Sequence, residues 1–412
     1  MLSGAVPERS LPDLVETLRD DGVGRASLID RVIAAARDHL EMDLSLLTEF
    51  RDGRQVYRRL AGDRESFGVR VGDGRPLGET YCKRVVDGEL PPVVPDARGD
   101  AVTRRLAGAG IGAYVGVPVR LPDGELYGTL CCVSHDPDPT LRARDVRFLE
   151  VLAAVVGEEL GRRRREEERR RRLSAEVAAA LEGSAIAVVF QPIVALEDGG
   201  LAGVEALASF TLPPRRSPER WFSDAWEVGL GDALELTAVR AALSHLERVP
   251  DGVYMSLNAS PATVASPAFE RALADVAPGR VLVEVTEHLV AEQPDVLAGA
   301  MERLRALGVR FAVDDAGAGY SGLNQMVRLA PDVIKLDRFL ITGIDRDPAR
   351  QALAFAAASF AARTRTRLIA EGIETATELA TLRALGVGYG QGFHLGRPDA
   401  LERAVKLRPP PL

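Results

Sequence analysis

From about residue 175 onward, short apolar runs recur, each closing in a polar residue, with helical stretches between them. In order they are VVFQPIV, GVEALAS, YMSLNAS, VLVEVTE, VRFAVDD, DVIKLD, RLIAEGI and YGQGFHL. Short apolar runs bounded by polar residues read as buried strands, and stretches such as Met301 to Leu307 and Ala352 to Ala362 carry a helical pattern. Eight strands alternating with helices predict an α/β chain folded as a (β/α)8, TIM-like barrel. In that architecture the chemistry gathers at the C-terminal ends of the strands. The residues at those ends are Gln191, Glu205, Asn258, Glu284, Asp314, Asp315, Lys335, Glu371 and Gln391. Five carboxylates on one rim repel each other unless a cation neutralises them. Oxygen donors joined by an Asn carbonyl suit a hard ion, Mg²⁺ or Mn²⁺, and the lack of His or Cys at these ends argues against zinc. Taken singly, each position reads as a solvated strand end or a turn. The combination is what points to a site.

Ahead of the barrel the pattern is different. Residues 1–26 are rich in Pro, Gly and acidic residues and read as a loosely ordered lead-in. Apolar residues at helical spacing predict a helix over Leu28 to Leu40. Strand-like segments follow near 45–50, at VYRRL and at 111–119, and Asp123-Gly124 sets a hairpin between 111–119 and 125–133. A long helix begins near Ala143. Within it, GRRRREEERRRR (161–172) interleaves Arg and Glu at i,i+4, the spacing of an exposed helical linker rather than of a nucleic-acid patch.

Composition narrows the function classes. A chain of 412 residues suggests two or three domains. Its net charge of −8 gives no excess of cations for a nucleic-acid polymer. No apolar run reaches the roughly 18–20 residues of a membrane span, and the N-terminus lacks the pattern of a secretion signal. Cys82, Cys131 and Cys132 are an odd set, which suits a reducing, cytoplasmic compartment. Cys82 reads either as a small core residue or as a thiol sensor or attachment point. Lys occurs only at 83, 335 and 406, and Asn only at 258 and 324, against an Arg-rich background. Lys335 and Asn258 therefore stand out as residues whose chemistry Arg or Asp does not replace.

The segments PLGETYCKRVVDGELPPVVPDA (76–97) and GTLCCVSHDP (128–137), with the element order around them, resemble a GAF domain over 27–160. The resemblance implies a sensory module and leaves its ligand unknown. Across 179–408, the order QPI, EAL, N, EVTE, DDAGAGYSG, K-L-D, AEGIET and QGF resembles the EAL phosphodiesterases of cyclic di-GMP, with 161–178 as a charged helical linker. That resemblance implies two-metal hydrolysis of a bacterial second messenger, cyclic di-GMP, to linear pGpG, with signal transduction through the GAF domain and a homodimer as the usual assembly. It implies Glu205, Asn258, Glu284 and Asp314 as ligands of one ion, and Asp315 with Glu371 at the second. It implies Lys335, with Glu205 and Glu371, as catalytic, Lys335 positioning or deprotonating the attacking water. Gln191, Ser209, Asp337 and Gln391 fall at substrate-side or supporting positions, and Glu287 and Glu374 at loop-supporting ones.

Four positions depart from that pattern. Ser209 stands where an arginine pairs with a substrate phosphate, a loss of roughly 1.5–3 kcal/mol of binding. Ala316 replaces an aromatic, Gly322 a serine, and Trp226 a glutamate. These departures keep a second reading open, a weak or inactive barrel serving as a cyclic di-GMP receptor or protein-docking module. Another phosphate ester as substrate is a third, since fold does not determine function.

Overall fold

The computed structural model describes residues 27–99, 101–106, 110–182, 185–286, 294–316 and 329–406. The chain divides into two units, Met1–Arg169 and Arg170–Leu412. Expectations for the lead-in at 1–26 lie outside the described residues.

The first unit is built on an antiparallel sheet of β1 (Leu44–Arg51), β2 (Arg54–Gly62), β3 (Gly74–Pro76), β4 (Val93–Val94), β5 (Ala113–Arg120) and β6 (Leu126–Ser134). Its strand order is β3-β2-β1-β6-β5-β4. The expected hairpin is there: β5 pairs with β6, and Gly124 takes a positive φ of 87° in the turn. Strand alternation divides the sheet into two faces. Leu130 and Cys132 pack with Val115 and Val117 against the helix Leu28–Leu40 and the start of the helix Ala143–Glu182. Cys131 and Val133 face the other way, with Leu44, Leu46, Tyr57, Cys82 and Tyr114. Ser27 begins the helix Leu28–Leu40 with a capping box, its hydroxyl accepting from Asp30 N at 3.3 Å while Asp30 accepts from Ser27 N at 3.1 Å.

The helix Ala143–Glu182 is unbroken for 40 residues. Its charge run pairs partly as the spacing suggests: Arg164 meets Glu168 at 3.1 Å, i,i+4. Arg162 and Arg163 turn instead to Glu159, at 2.9 and 2.6 Å, because that carboxylate lies one turn back and is largely sheltered. No helix among the described residues is long and apolar enough to cross a membrane.

The second unit is a closed barrel of β7 (Ile186–Ala195), β8 (Leu201–Phe210), β9 (Tyr254–Asn258), β10 (Val281–Thr286), β11 (Arg310–Ala316), β12 (Val333–Leu336), β13 (Arg367–Ala370) and β14 (Tyr389–Gly390). Each of the eight expected runs contributes a strand, the last of them only Tyr389–Gly390. Among the described residues the expected alternation with helices holds from β8 to β11 and from β12 to β14, and it fails between the first two strands. There β7 is antiparallel to both neighbours and joins β8 through a short turn at 196–200. A parallel crossover needs a dozen residues or more, so a connection this short leaves only a hairpin. The other neighbouring pairs are parallel. Apolar side chains between strands and surrounding helices form the outer core, among them Val204, Met255, Leu257, Val283, Phe311 and Leu304 on one side and Leu336, Ile341, Leu368 and Leu379 on the other.

Candidate active site

The inside of the barrel is closed by an apolar layer: Ile193, Tyr254, Leu282, Ala312, Val333 and Ile369, with Tyr389 packed against it. Gly203 completes it by absence, since a Cβ there would lie 2.6 Å from the Tyr254 ring. Because strand side chains repeat every two residues, the next inward position on each parallel strand is two residues further along. Those positions are Glu205, Ser256, Glu284, Asp314, Lys335, Glu371 and Gln391. On the reversed strand β7 the step runs backward, from Ile193 to Gln191. One apolar layer thus carries a polar layer directly above it.

Lys335 is the hub, 1% exposed. Its Nζ donates to Glu284 Oε2 at 2.5 Å and meets Glu371 Oε1 at 2.5 Å, with Glu205 Oε2 and Asp314 Oδ1 each at 3.7 Å. Glu284 Oε1 accepts from the Ser256 hydroxyl at 2.5 Å. Glu205 accepts from Asn258 Nδ2 at 2.8 Å and from Gln391 Nε2 at 2.5 Å. Gln391 Nε2 also donates to Gln191 Oε1 at 3.0 Å, and Gln191 Nε2 donates to the Gly396 carbonyl at 3.0 Å. These side chains come from all eight strands or their ends, Ser256 and Asn258 sharing β9.

Burial and charge compete here. Burial alone would push Lys335 down, but Glu205, Glu284, Glu371 and Asp314 outweigh it and hold the ammonium well above the usual lysine range. Burial pushes Glu284 well above the usual carboxylate range, with Glu205 adding and Lys335 opposing. Burial, helped by Asp314 and Glu205 and opposed by Lys335, pushes Glu371 up to about 7. For Glu205 burial also works upward, yet Lys335, Gln391 and Asn258 prevail and hold it below its ordinary value. One ammonium among four carboxylates leaves negative charge to spare. The donor set is all oxygen, with an amide beside it, and suits a hard divalent cation. Among the described residues no three His, Cys, Asp or Glu side chains are arranged to hold an ion without adjustment. The carboxylates close on Lys335 instead.

The remaining sequence-derived positions separate. A cleft of about 230 Å³ over the hub is lined by Gln191, Glu205, Leu207, Asp314, Lys335, Arg338, Glu371, Glu374 and Gln391, among others. Glu374 lies at its mouth and meets Arg338 at 3.5 Å. Asp337 caps the short helix Arg338–Ile341, accepting from Phe339 N at 2.7 Å, so one of its oxygens holds local backbone. Ser209 lies four residues beyond Glu205 on β8, beside Ala187 of β7. Trp226 donates through its indole N–H to Glu235 Oε1 at 3.1 Å. The pairing of β11 with β12 slips between Val313 and Ala316, a bulge at the Asp314-Asp315 pair, the kind of irregularity that re-aims side chains. The side chain of Asp315 lies outside the described residues, as do Glu287 and Gly322. Ser256 was not expected, although it stands two residues before Asn258 and the period of a strand marks it.

Comparison with known proteins follows the same division. A family model described as EAL domain matches residues 174–398, and one described as GAF domain matches residues 25–160. An uncharacterized signaling protein of Caulobacter vibrioides is 28% identical over 402 residues, 92% of this chain and 49% of that protein. The cyclic di-GMP phosphodiesterase NbdA of Pseudomonas aeruginosa is 31% identical over 235 residues, 54% of this chain and 30% of that protein. A solved structure described as the PaMucR phosphodiesterase in complex with c-di-GMP is 29% identical, with a TM-score of 0.51 over 56% of this chain and 98% of that one. The chain spans about half or less of the length of these curated relatives.

Proposed function

Since the chain belongs to the EAL family, with a GAF domain ahead of the barrel, we propose that it is a phosphodiesterase that opens cyclic di-GMP to linear pGpG. The observation that carries the reading is the polar layer itself: Glu205, Glu284, Asp314 and Glu371 gathered around Lys335 from separate strands. The relatives named as cyclic di-GMP phosphodiesterases supply the substrate class.

The residues present suit divalent cations, Mg²⁺ or Mn²⁺ in our reading. Glu205, Asn258, Glu284 and Asp314 would hold one ion, and Asp315 with Glu371 the other. Bound there, such ions supply Lewis-acid charge for in-line displacement at phosphorus. The chain's own contribution is orientation. Lys335 is held protonated while its carboxylates face it; with cations on those carboxylates it would position or deprotonate the attacking water. Gln191 and Gln391 brace Glu205 and line the cleft where the substrate would lie. Glu287, Asp337 and Glu374 are assigned support of the surrounding loops, and Ser209 the phosphate side of the cleft. A homodimer working in the cytoplasm completes the reading, and its unpaired cysteines suit that compartment.

The test is incubation of the purified chain with cyclic di-GMP and Mg²⁺ or Mn²⁺, following pGpG by chromatography. Product that disappears with chelator, with Glu205→Ala and with Lys335→Ala supports hydrolysis. No product at high protein concentration, with nucleotide still bound by equilibrium dialysis, favours the receptor reading that Ser209 suggests. Sedimentation analysis at several concentrations tests the dimer.

A further inference from the structure

The first unit holds a largely apolar cavity, with a few polar groups and two thiols in its wall, that the proposed hydrolysis does not use. It encloses about 70 Å³, room for a few water-sized molecules, and is lined by Cys82, Cys131, Gln55, Tyr57, Tyr81 and Tyr114 among others. The exposed residues Arg75 and Glu79 also line it, so it reaches the surface. Inside, the sulfurs of Cys82 and Cys131 lie 3.6 Å apart, on a short helix and on β6 respectively. Both side chains are buried and neither is bonded to another cysteine. Cys132, the next residue, faces the opposite side of the sheet.

Two donors point at Cys82 Sγ, Gln55 Nε2 at 3.2 Å and the Tyr114 hydroxyl at 3.5 Å, and the Cys131 sulfur lies within hydrogen-bond reach of it. The approach of Tyr114 depends on Gly116, opposite Cys131, where a Cβ would fall 2.1 Å from the tyrosine oxygen and 2.8 Å from Cys131 Cβ. Gln55 is buried, and among the described residues its Oε1 has no hydrogen-bond partner. An acceptor of that kind beside a nucleophilic sulfur suits a small molecule bearing an O–H.

We propose that Cys82 and Cys131 form a peroxide-reactive thiol pair, Cys82 attacking a hydroperoxide and Cys131 resolving the product as a disulfide. The Cys82 thiolate attacks the terminal oxygen of the peroxide and the O–O bond breaks. The released hydroxide or alkoxide takes a proton, and a sulfenic acid remains on Cys82. Cys131 then attacks that sulfur, the S–O bond breaks and a second molecule of water leaves with the Cys131 proton. Two thiols and hydrogen peroxide thus become one disulfide and two waters, two electrons passing from sulfur to oxygen. The Cys131 thiol above all, then Thr129, Tyr114 and Gln55, hold Cys82 below the usual thiol range against the opposing effect of burial. Cys131 and Cys132 are both shifted upward, which keeps the first attack on Cys82.

The test uses the reduced full chain treated with a few equivalents of hydrogen peroxide, followed by intact-mass measurement and peptide mapping without reduction. The expected result is loss of two hydrogens per chain, a Cys82–Cys131 link, an alkylatable Cys132 and full reversal by dithiothreitol. Cys131→Ser should stop at a sulfenic acid on Cys82, trapped by a 1,3-dione. Cys82→Ser should leave Cys131 as a thiol. A link through Cys132, a link between two chains, or oxygen gain or unreacted thiols in place of the link overturns the proposal. The mapping of the unaltered chain decides the matter even if a variant fails to fold.

Discussion

Single residues in the polar layer are held by partners that leave little slack. Ser256→Ala removes the only hydrogen-bond donor described at Glu284 Oε1 and leaves a buried acceptor unsatisfied. The expected destabilisation is about 1–3 kcal/mol, read as a lower urea midpoint, and a midpoint unchanged from the parent would refute it. Titration gives a second expectation, with its sign set by the direction of each shift. Glu371 and Glu284 sit above the ordinary carboxylate value in the folded chain. Their contribution is complete below that ordinary value and is lost as pH rises through the folded one. Glu205 is shifted downward, so its effect lies in more acid solution, and Lys335 is shifted upward, so its effect lies in strongly alkaline solution. In the barrel unit stability should therefore fall with rising pH between about pH 5 and 8, Glu371 near 7 setting the window and the downward-shifted His245 opposing. Added Mg²⁺ or Mn²⁺ should flatten the fall if the carboxylates take up a cation, and an unaltered slope would count against that. How legible was this site? The carboxylates, Lys335 and both glutamines stood out in the sequence because each closes an apolar run. Ser256 did not, because a serine inside an apolar run looks like filler until strand alternation is counted back from Asn258.

At the scale of elements, the last turns of the long helix and the helix Pro218–Glu227 share a small core in which Val177 and Ala180 meet Trp221, Ala225 and Leu234. Arg216 ties them together, paired with both Glu176 and Asp224, while its guanidinium lies 4.8 Å from the centre of the Trp221 ring. Asp224 is 1% exposed and also meets Arg220 at 3.0 Å. Removing it takes one of two carboxylates from a mostly buried Arg216 that keeps Glu176, so Asp224→Ala should destabilise the barrel unit by about 1.5–3 kcal/mol. A loss below about 1 kcal/mol in urea unfolding would show that solvent screens the pair. The sequence displayed this helix plainly, but its charge run suggested an even ladder of i,i+4 pairs. Glu159 disturbs the ladder by drawing two arginines backward, at i,i+3 and i,i+4, to a carboxylate that is more sheltered than those ahead of them.

For the molecule as a whole, the two units and their separate cores suggest that the barrel folds with its own stretch of helix. A fragment 170–406 should unfold in one cooperative transition, whereas 185–406 loses Val177 and Ala180 and should be less stable by about 2–5 kcal/mol. Equal midpoints for the two fragments would show that the helix contributes nothing to the barrel. The sequence by itself determined the elements: the apolar runs, the hairpin at Asp123-Gly124, the long helix and the residue types that end each barrel strand. Local propensity and strand or helix period act over neighbouring residues, so they can be read along the chain. Only the tertiary structure decided that the first barrel strand runs backward, that Lys335 and not an open gap lies among the acids, and that Cys82 meets Cys131 across 49 positions. Those facts arise when closure of the barrel, or the packing of a helix on a sheet, brings distant residues to one point, where burial and charge act between residues that no local pattern relates.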